Sequence, residues 1–222
     1  MRTRISFQHI LLAFFGFIAL MLVVRIYYSG RFHYLFLVWN IFLAWIPFAV
    51  SSLFTRIDAK HKWIQALVCC CWLAFFPNAL YIVTDLVHLD LESTIPKWFD
   101  ALLLFSSSVV GLLLAFISLQ RAEQYLQRKV PVKMVPPLIL LILFLGSFGV
   151  YLGRFLRWNS WDIIGDPLGL LSSIGHRVIY PADHWHTWGV TGMFTLFFYL
   201  LYIAIKKMPG YLAGHSVNKY VH

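Results

Sequence analysis

Charge is what this sequence has least of. Only 12% of its 222 residues are Asp, Glu, Lys or Arg, while 60% are hydrophobic; an ordinary soluble domain carries about 25% charged residues. So little charge cannot cover a water-facing surface, which excludes a soluble enzyme. Disorder is excluded as well, because an aromatic share of 18% does not suit a solvated coil. Cysteine is equally scarce. The three residues present are consecutive, Cys69, Cys70 and Cys71; neighbours on a helix point about 100° apart, so they form neither a CxxC redox pair nor a disulfide framework. Catalytic signatures are missing too: there is no HExxH, Walker loop, GxSxG elbow or EF-hand spacing. No cofactor and no metal is assigned.

Long apolar runs are present instead. A spanning helix needs about 20 apolar residues to cross ~30 Å of hydrocarbon. Six stretches qualify, at approximately 7–27, 34–54, 63–84, 98–119, 134–153 and 185–205. The first follows Arg2 and Arg4 as a signal peptide would, but no small-x-small cleavage site follows it, so it is read as a mature helix. The expected class is therefore an all-α, polytopic integral membrane helical bundle forming one membrane domain.

Acid is the rarer sign, 9 residues against 18 basic ones. The excess is not a nucleic-acid signature, since basic residues in such proteins gather on the cytoplasmic side. Twelve of the 18 fall at the N-terminus (Arg2, Arg4), the second loop (Arg56, Lys60, Lys62), the fourth (Arg121, Arg128, Lys129, Lys133) and the tail (Lys206, Lys207, Lys219). The positive-inside rule then places both termini inside. Only Asp58 and Glu123 share that side; Asp85, Asp90, Glu92, Asp100, Asp162, Asp166 and Asp183 fall outside. The expected location is the cytoplasmic membrane, crossed several times. In the last outer loop, Asp166 and Pro167 resemble an N-cap and first helical residue, and Leu168, Leu171, Ile174 and Val178 make an apolar stripe. A short interfacial helix is expected over about 167–179.

Polar residues inside the spans supply the candidate site. The third stretch reads FFPNALYIVTDLVHL, with Pro77 expected to kink or break it. Asn78, Tyr81, Asp85 and His88 then share an arc of roughly 80° on its outer half. A plainer role for them is to satisfy the kink and sit among headgroups. On the fifth stretch Ser147, Tyr151, Arg154 and Trp158 fall at helical spacing, with Arg157 close behind, and an ion pair from Asp85 to Arg154 or Arg157 would lower the cost of either charge near lipid. Binding of lipid phosphates by the arginines alone is the alternative. Asn40 sits at the depth of Asn78. Ser106, Ser107 and Ser108 are expected mainly to bond their own backbone. The inner halves read as nearly bare of polar groups. His184 and His186 form a His-x-His beside Asp183, a pattern better suited to interfacial anchoring, with Trp185 and Trp188, than to a metal.

Three runs, Leu37-Val-Trp-Asn-Ile-Phe-Leu-Ala-Trp-Ile-Pro47, Phe75-Phe-Pro-Asn-Ala-Leu-Tyr-Ile-Val-Thr-Asp85 and Gly153-Arg-Phe-Leu-Arg-Trp-Asn-Ser-Trp-Asp162, resemble the signature blocks of the bacterial membrane proteins grouped as domain of unknown function 1361. The resemblance spans nearly the whole chain. The family pattern reads Pro-Asn-Ala-Pro-Tyr, whereas Leu80 stands here for the second proline, which weakens the case for a doubly broken third helix. The resemblance implies a polytopic bacterial membrane protein and no activity.

Two functional readings follow. In the first, an outer-leaflet-facing site binds or modifies a lipid or lipid-linked anion. Asp85 would be general base, His88 its acid/base partner, and Asn40, Asn78 and Tyr81 orienting groups. Arg154 and Arg157 would hold the anion, and Trp158, Asn159, Trp161 and Asp162 would complete the binding surface. In the second, the protein is a small transporter or an assembly partner of another membrane protein. The partners expected are membrane lipids in the first reading and a membrane complex in the second.

Overall fold

The computed structural model describes residues 6–56, 61–89 and 95–217, with side chains through Leu212. Arg2, Arg4, Asp58, Lys60, Asp90, Glu92 and Lys219, used in the charge count, lie outside the described residues. The described chain is all-helical: α1 (Phe7–Ser29), α2 (Phe36–Ser51), α3 (Lys62–Tyr81), α4 (Lys97–Gln127), α5 (Val135–Leu156), α6 (Asp162–Gly165), α7 (Pro167–Ile179) and α8 (Trp185–Val217). Six of its helical segments are long and apolar enough to cross a membrane. The chain is a multi-pass membrane protein by this criterion. It divides into two compact units, Met1–Lys129 and Val130–His222, each described by itself.

In the first unit α4 is the hub, packing on α1, α2 and α3. Lipid tails are as apolar as leucine, so helices in a membrane associate through close packing and interhelical bonds rather than through the hydrophobic effect. The contact surfaces accordingly mix small residues with large ones: Ala44, Ala79, Ala115 and Ser107 are fully buried beside Leu37, Phe76, Leu80 and Leu114. Gly111 marks the tightest approach. A Cβ there would lie 3.0 Å from the Ala79 carbonyl oxygen and 3.0 Å from Ile82 Cδ1.

Polar contacts at each end fix the register. At one end Arg25 near the end of α1 pairs with Asp100 in the first turn of α4, and Tyr34 before α2 donates to the His88 carbonyl beyond α3. At the other end Arg121 of α4 donates to the Phe48 carbonyl of α2, and Tyr125 to Gln65 of α3. Successive helices of this unit are therefore antiparallel.

The third span, expected to kink or break at Pro77, is not broken there. Its α-helix runs through Pro77 to Tyr81 and then tightens into a seven-residue 3-10 helix, Ile82–His88. 3-10 turns are frequent at helix ends, but runs longer than three or four residues are uncommon. Here the run is contacted from outside: Ser108 Oγ, whose one proton is shared with the Leu104 carbonyl, lies 3.2 Å from the Ile82 carbonyl oxygen, and Tyr34 donates to the His88 carbonyl at 2.8 Å.

The fourth helix runs to Gln127, past the expected end near Leu119. That extension adds buried polar groups at this end of the span, where the sequence reading finds few beyond Gln65. Gln65, Ser118 and Glu123 are buried at this end, Trp72 Nε1 donates to Ser118 Oγ, and Tyr125 and Lys129 both donate to Gln65 Oε1. A local cause is visible at α2. Its end tightens to 3-10 geometry, so the Ser52 amide bonds the Ala49 carbonyl. The Phe48 carbonyl accepts instead from Ser51 Oγ at 2.7 Å and from Arg121 Nη1 at 3.0 Å.

In the second unit α5 and α8 pack together. Tyr151 and Phe155, near the end of α5, touch the ring of His186 at the start of α8, with centroids 6.1 and 5.3 Å apart. Farther along, Trp188 stacks on Phe144 and Phe148. The pair is thus antiparallel. Asp166 caps α7, accepting from the Gly169 amide at 2.9 Å, and Pro167 opens that helix. Leu168, Leu171 and Val178 on it are exposed.

Candidate functional site

Asp85 is the centre of the first unit's polar end. It is 1% exposed, and its Oδ2 accepts a 2.7 Å hydrogen bond from Asn40 Nδ2. The backbone explains its presentation. In 3-10 geometry residues three apart eclipse one another, so Ile82, Asp85 and His88 line one face. Ile82 and Asp85 are both buried. Two of the residues expected together, Asn40 and Asp85, are therefore joined. His88 lies on the same face, its ring tilted against Phe36 at 5.0 Å.

Asn78 of the expected stripe bonds the backbone, as do Thr84, Ser107 and Ser108, which lie off it. Asn78 Nδ2 donates to the Phe75 carbonyl at 3.2 Å, within the turn around Pro77. Thr84 bonds the Tyr81 carbonyl. Ser107 and Ser108 bond the Leu103 and Leu104 carbonyls one turn earlier, both at 2.9 Å.

Sequence reasoning missed a buried ion pair of this unit. Arg25 Nε and Nη2 hold the two oxygens of Asp100 at 2.8 and 3.1 Å, a bidentate pair with side chains 5% and 0% exposed. The guanidinium carbon stands 3.9 Å over the Tyr34 ring, and Arg25 Nη1 is buried with no hydrogen-bond partner. Both charges fall inside the stretches read from hydropathy, 7–27 and 98–119, but the reading does not pair them. The available signal was positional: each lies about one turn inside its helix, at the same end.

Arg154, Arg157, Trp158, Asn159, Trp161 and Asp162 belong to the second unit. Arg154 is in the last turn of α5. The expected stripe stops there, because the helix ends at Leu156 and Trp158 lies beyond it. Arg157 is the terminating residue, with φ 60° and ψ 27°, and the Trp158 amide bonds the Leu152 carbonyl at 3.1 Å. That pattern normally recruits glycine, since a side chain in left-handed backbone costs about 1–2 kcal/mol. Among the described residues Arg157 is the only non-glycine with positive φ. Asn159 and Asp162 shape the loop: Asp162 Oδ2 accepts from the Asn159 amide at 2.6 Å. Trp161 is exposed.

The histidines at the start of α8 separate. His184 Nε2 lies 2.8 Å from Nδ1 of His176, whereas His186 packs among aromatic rings. No group of three or more His, Cys, Asp or Glu residues able to hold a metal occurs among the described residues.

No curated protein and no solved structure matches the chain. Residues 39–201 match the family described as "Protein of unknown function (DUF1361)". The matched region takes in Asn40, the 3-10 segment with Asp85, and the Arg154–Asp162 turn. With most of its length so matched, the chain belongs to the DUF1361 family of membrane proteins.

Proposed function

We propose that this protein is a multi-pass protein of the bacterial cytoplasmic membrane, with both termini inside, that binds or modifies a lipid or lipid-linked anion at its outer face. The observation that carries the reading is Asp85: a buried carboxylate near the end of a span, on a 3-10 segment and held by Asn40. A carboxylate buried in protein at the end of a membrane span is costly to desolvate, which makes it a candidate for function. In this reading Asp85 accepts a proton, Asn40 fixes its orientation, and His88 exchanges the proton onward. Asn78 and Tyr81 belong to the same polar wall. Arg154 and Arg157 supply charge-assisted bonds to a phosphate or carboxylate. Trp158, Asn159, Trp161 and Asp162 form the loop that carries Arg157. The strained backbone at Arg157 favours this role, because strain retained without glycine tends to mark function.

Transport is the second reading, and the polar layer around Gln65, Ser118 and Tyr125 favours it. Against it, Ser108 and Ser118 are separated by ~15 Å of helix rise, with Val110, Leu114 and Ala115 fully buried between them. No hydrophilic side chain on α4 bridges that interval.

The test compares lipid and envelope-glycan mass spectra from deletion, wild-type and Asp85→Asn cells, with Arg154→Gln alongside. The proposal expects one lipid or lipid-linked species to change in the deletion and in both variants, with both variants folded in detergent. Identical spectra in all strains would remove the lipid reading.

A further inference from the structure

The 3-10 segment Ile82–His88 is longer than an α-helix of the same residues, and something has to hold the excess. An α-helix rises ~1.5 Å per residue and a 3-10 helix ~2.0 Å, so the seven steps from Tyr81 to His88 differ by about 3.5 Å. In α geometry the His88 carbonyl would fall short of the Tyr34 hydroxyl, and their 2.8 Å hydrogen bond could not form. The bond and the stretched geometry therefore exist together.

Tyr34 is itself fixed. It is 1% exposed, and the Arg25 guanidinium carbon stands 3.9 Å over its ring. Arg25 in turn holds both oxygens of Asp100 in the first turn of α4. A cation on the ring face also draws electron density from the phenol, which makes its hydroxyl a stronger donor. The contact at the other end of the segment is weaker, because Ser108 Oγ lies 3.2 Å from the Ile82 carbonyl oxygen and shares its proton with the Leu104 carbonyl.

What this tie controls is Asp85. Four steps beyond Tyr81, 3-10 geometry turns Asp85 ~80° farther about the axis than α geometry and sets it ~2 Å farther along. That turn places it on the face of buried Ile82 and brings its Oδ2 to 2.7 Å from Asn40 Nδ2. In α geometry the carboxylate would swing off Asn40 toward the side of Thr84 and Val87, where Val87 is 71% exposed.

We propose that Tyr34 is a positioning residue. Backed by Arg25 and Asp100, it keeps Ile82–His88 stretched and Asp85 on Asn40; when it lets go, the segment returns to α geometry and Asp85 turns out of the packed interior. This rests on the outer-face reading for what Asp85 does, and adds how access to Asp85 is controlled.

The test uses the full chain in nanodiscs. Cys69, Cys70 and Cys71 are replaced by alanine, and spin labels are attached at Trp63→Cys and Val87→Cys, both exposed positions. Double electron–electron resonance between the labels then reads the length of the third span. Tyr34→Phe keeps the ring under Arg25 and removes only the hydroxyl. Leaving the His88 carbonyl without this donor shifts the balance of the two geometries roughly tenfold. The variant should add a second label distance ~3 Å shorter than wild type, the difference over the six steps from Tyr81 to Val87. In unlabelled protein, dicyclohexylcarbodiimide, a lipid-soluble reagent for protonated carboxyls, should modify Asp85 roughly tenfold faster in the variant, as read by peptide mass spectrometry. Ser29→Ala removes a hydrogen bond to the Arg25 carbonyl at the same end and should change neither reading. An unchanged distance or an unchanged rate in Tyr34→Phe overturns the inference. So does Ser29→Ala reproducing both changes, which would make the effect a general loosening of that end. These outcomes leave the outer-face reading where it stands, because the lipid spectra of Asp85→Asn cells decide it separately.

Discussion

Asp100 and Arg25 allow the energetics of the first unit to be tested as a closed thermodynamic cycle. The pair is bidentate, and both side chains are at most 5% exposed. Asp100→Leu leaves the guanidinium buried with only the Tyr34 ring opposite, and Arg25→Met leaves the carboxylate alone. Breaking one side of a buried pair costs about 3–5 kcal/mol. At ~1.4 kcal/mol per tenfold, that lowers the folding constant roughly 140- to 3,700-fold. The double variant removes both charges and their desolvation cost together. Apolar replacements of similar volume are neutral or stabilise by about 1–4 kcal/mol, and Arg25 Nη1, unpaired in the wild type, no longer has to be buried. Equilibrium unfolding in mixed detergent–SDS micelles, followed by tryptophan fluorescence, measures all four corners. Each single variant should be strongly destabilised and the double restored to near wild type. A single variant within about 0.5 kcal/mol of wild type, or a double as unstable as the singles, would show that the pair is not held dry and refute the reasoning.

Gly111→Ala brings a Cβ to 3.0 Å from a backbone oxygen; it should cost ~1–3 kcal/mol in the same unfolding assay, and Gly111→Val more. Asn40→Leu removes the donor to Asp85 and should destabilise by roughly 1–3 kcal/mol, whereas Asn40→Asp, which sets two carboxylates together, should be worse. Arg157→Gly should raise stability by up to about 1–2 kcal/mol by relieving its left-handed backbone, yet weaken binding of phosphatidylglycerol nanodiscs. A gain in stability with unchanged binding would make Arg157 a cap residue alone. Ser93→Cys, in a chain whose Cys69, Cys70 and Cys71 are replaced by alanine, should react with an impermeant maleimide added to intact spheroplasts. Labelling only after permeabilisation would reverse the proposed orientation.

What could be read in advance follows local physics. Asp166-Pro167 with an apolar stripe marks α7 because a cap, a preset φ and a period coincide in a short stretch. The six spans follow from hydropathy. Asn40 and Asp85 were each marked by polarity at a similar depth, but their bond depends on how α2 meets the third span, which no single segment encodes. The end of α4 misled for a definite reason. Arg121 and Glu123 look like a loop until the Phe48 carbonyl supplies the arginine with a buried acceptor. The 3-10 segment is equally tertiary in origin: Gly111 permits close approach, and Ser108 and Tyr34 contact carbonyls at its two ends. Nothing between Ile82 and His88 distinguishes it from an ordinary helix.

The tight segment also acts as a ruler. Twenty residues of α3 rise ~30 Å, and the four residues from Ile82 to Asp85 add roughly 8 Å at ~2 Å each. Asp85 is therefore about 38 Å along the span from Lys62. Against a hydrocarbon thickness of ~30 Å, even a tilt of about 20° leaves it roughly 5 Å past the last methylenes when Lys62 stands at the opposite boundary. That is the stratum of phosphoester and glycerol oxygens. On the lipid reading proposed above, a headgroup at this level would lie beside the Asn40–Asp85 pair with its tails still in the bilayer, and a small opening of the segment, not extraction of the lipid, would bring the two together.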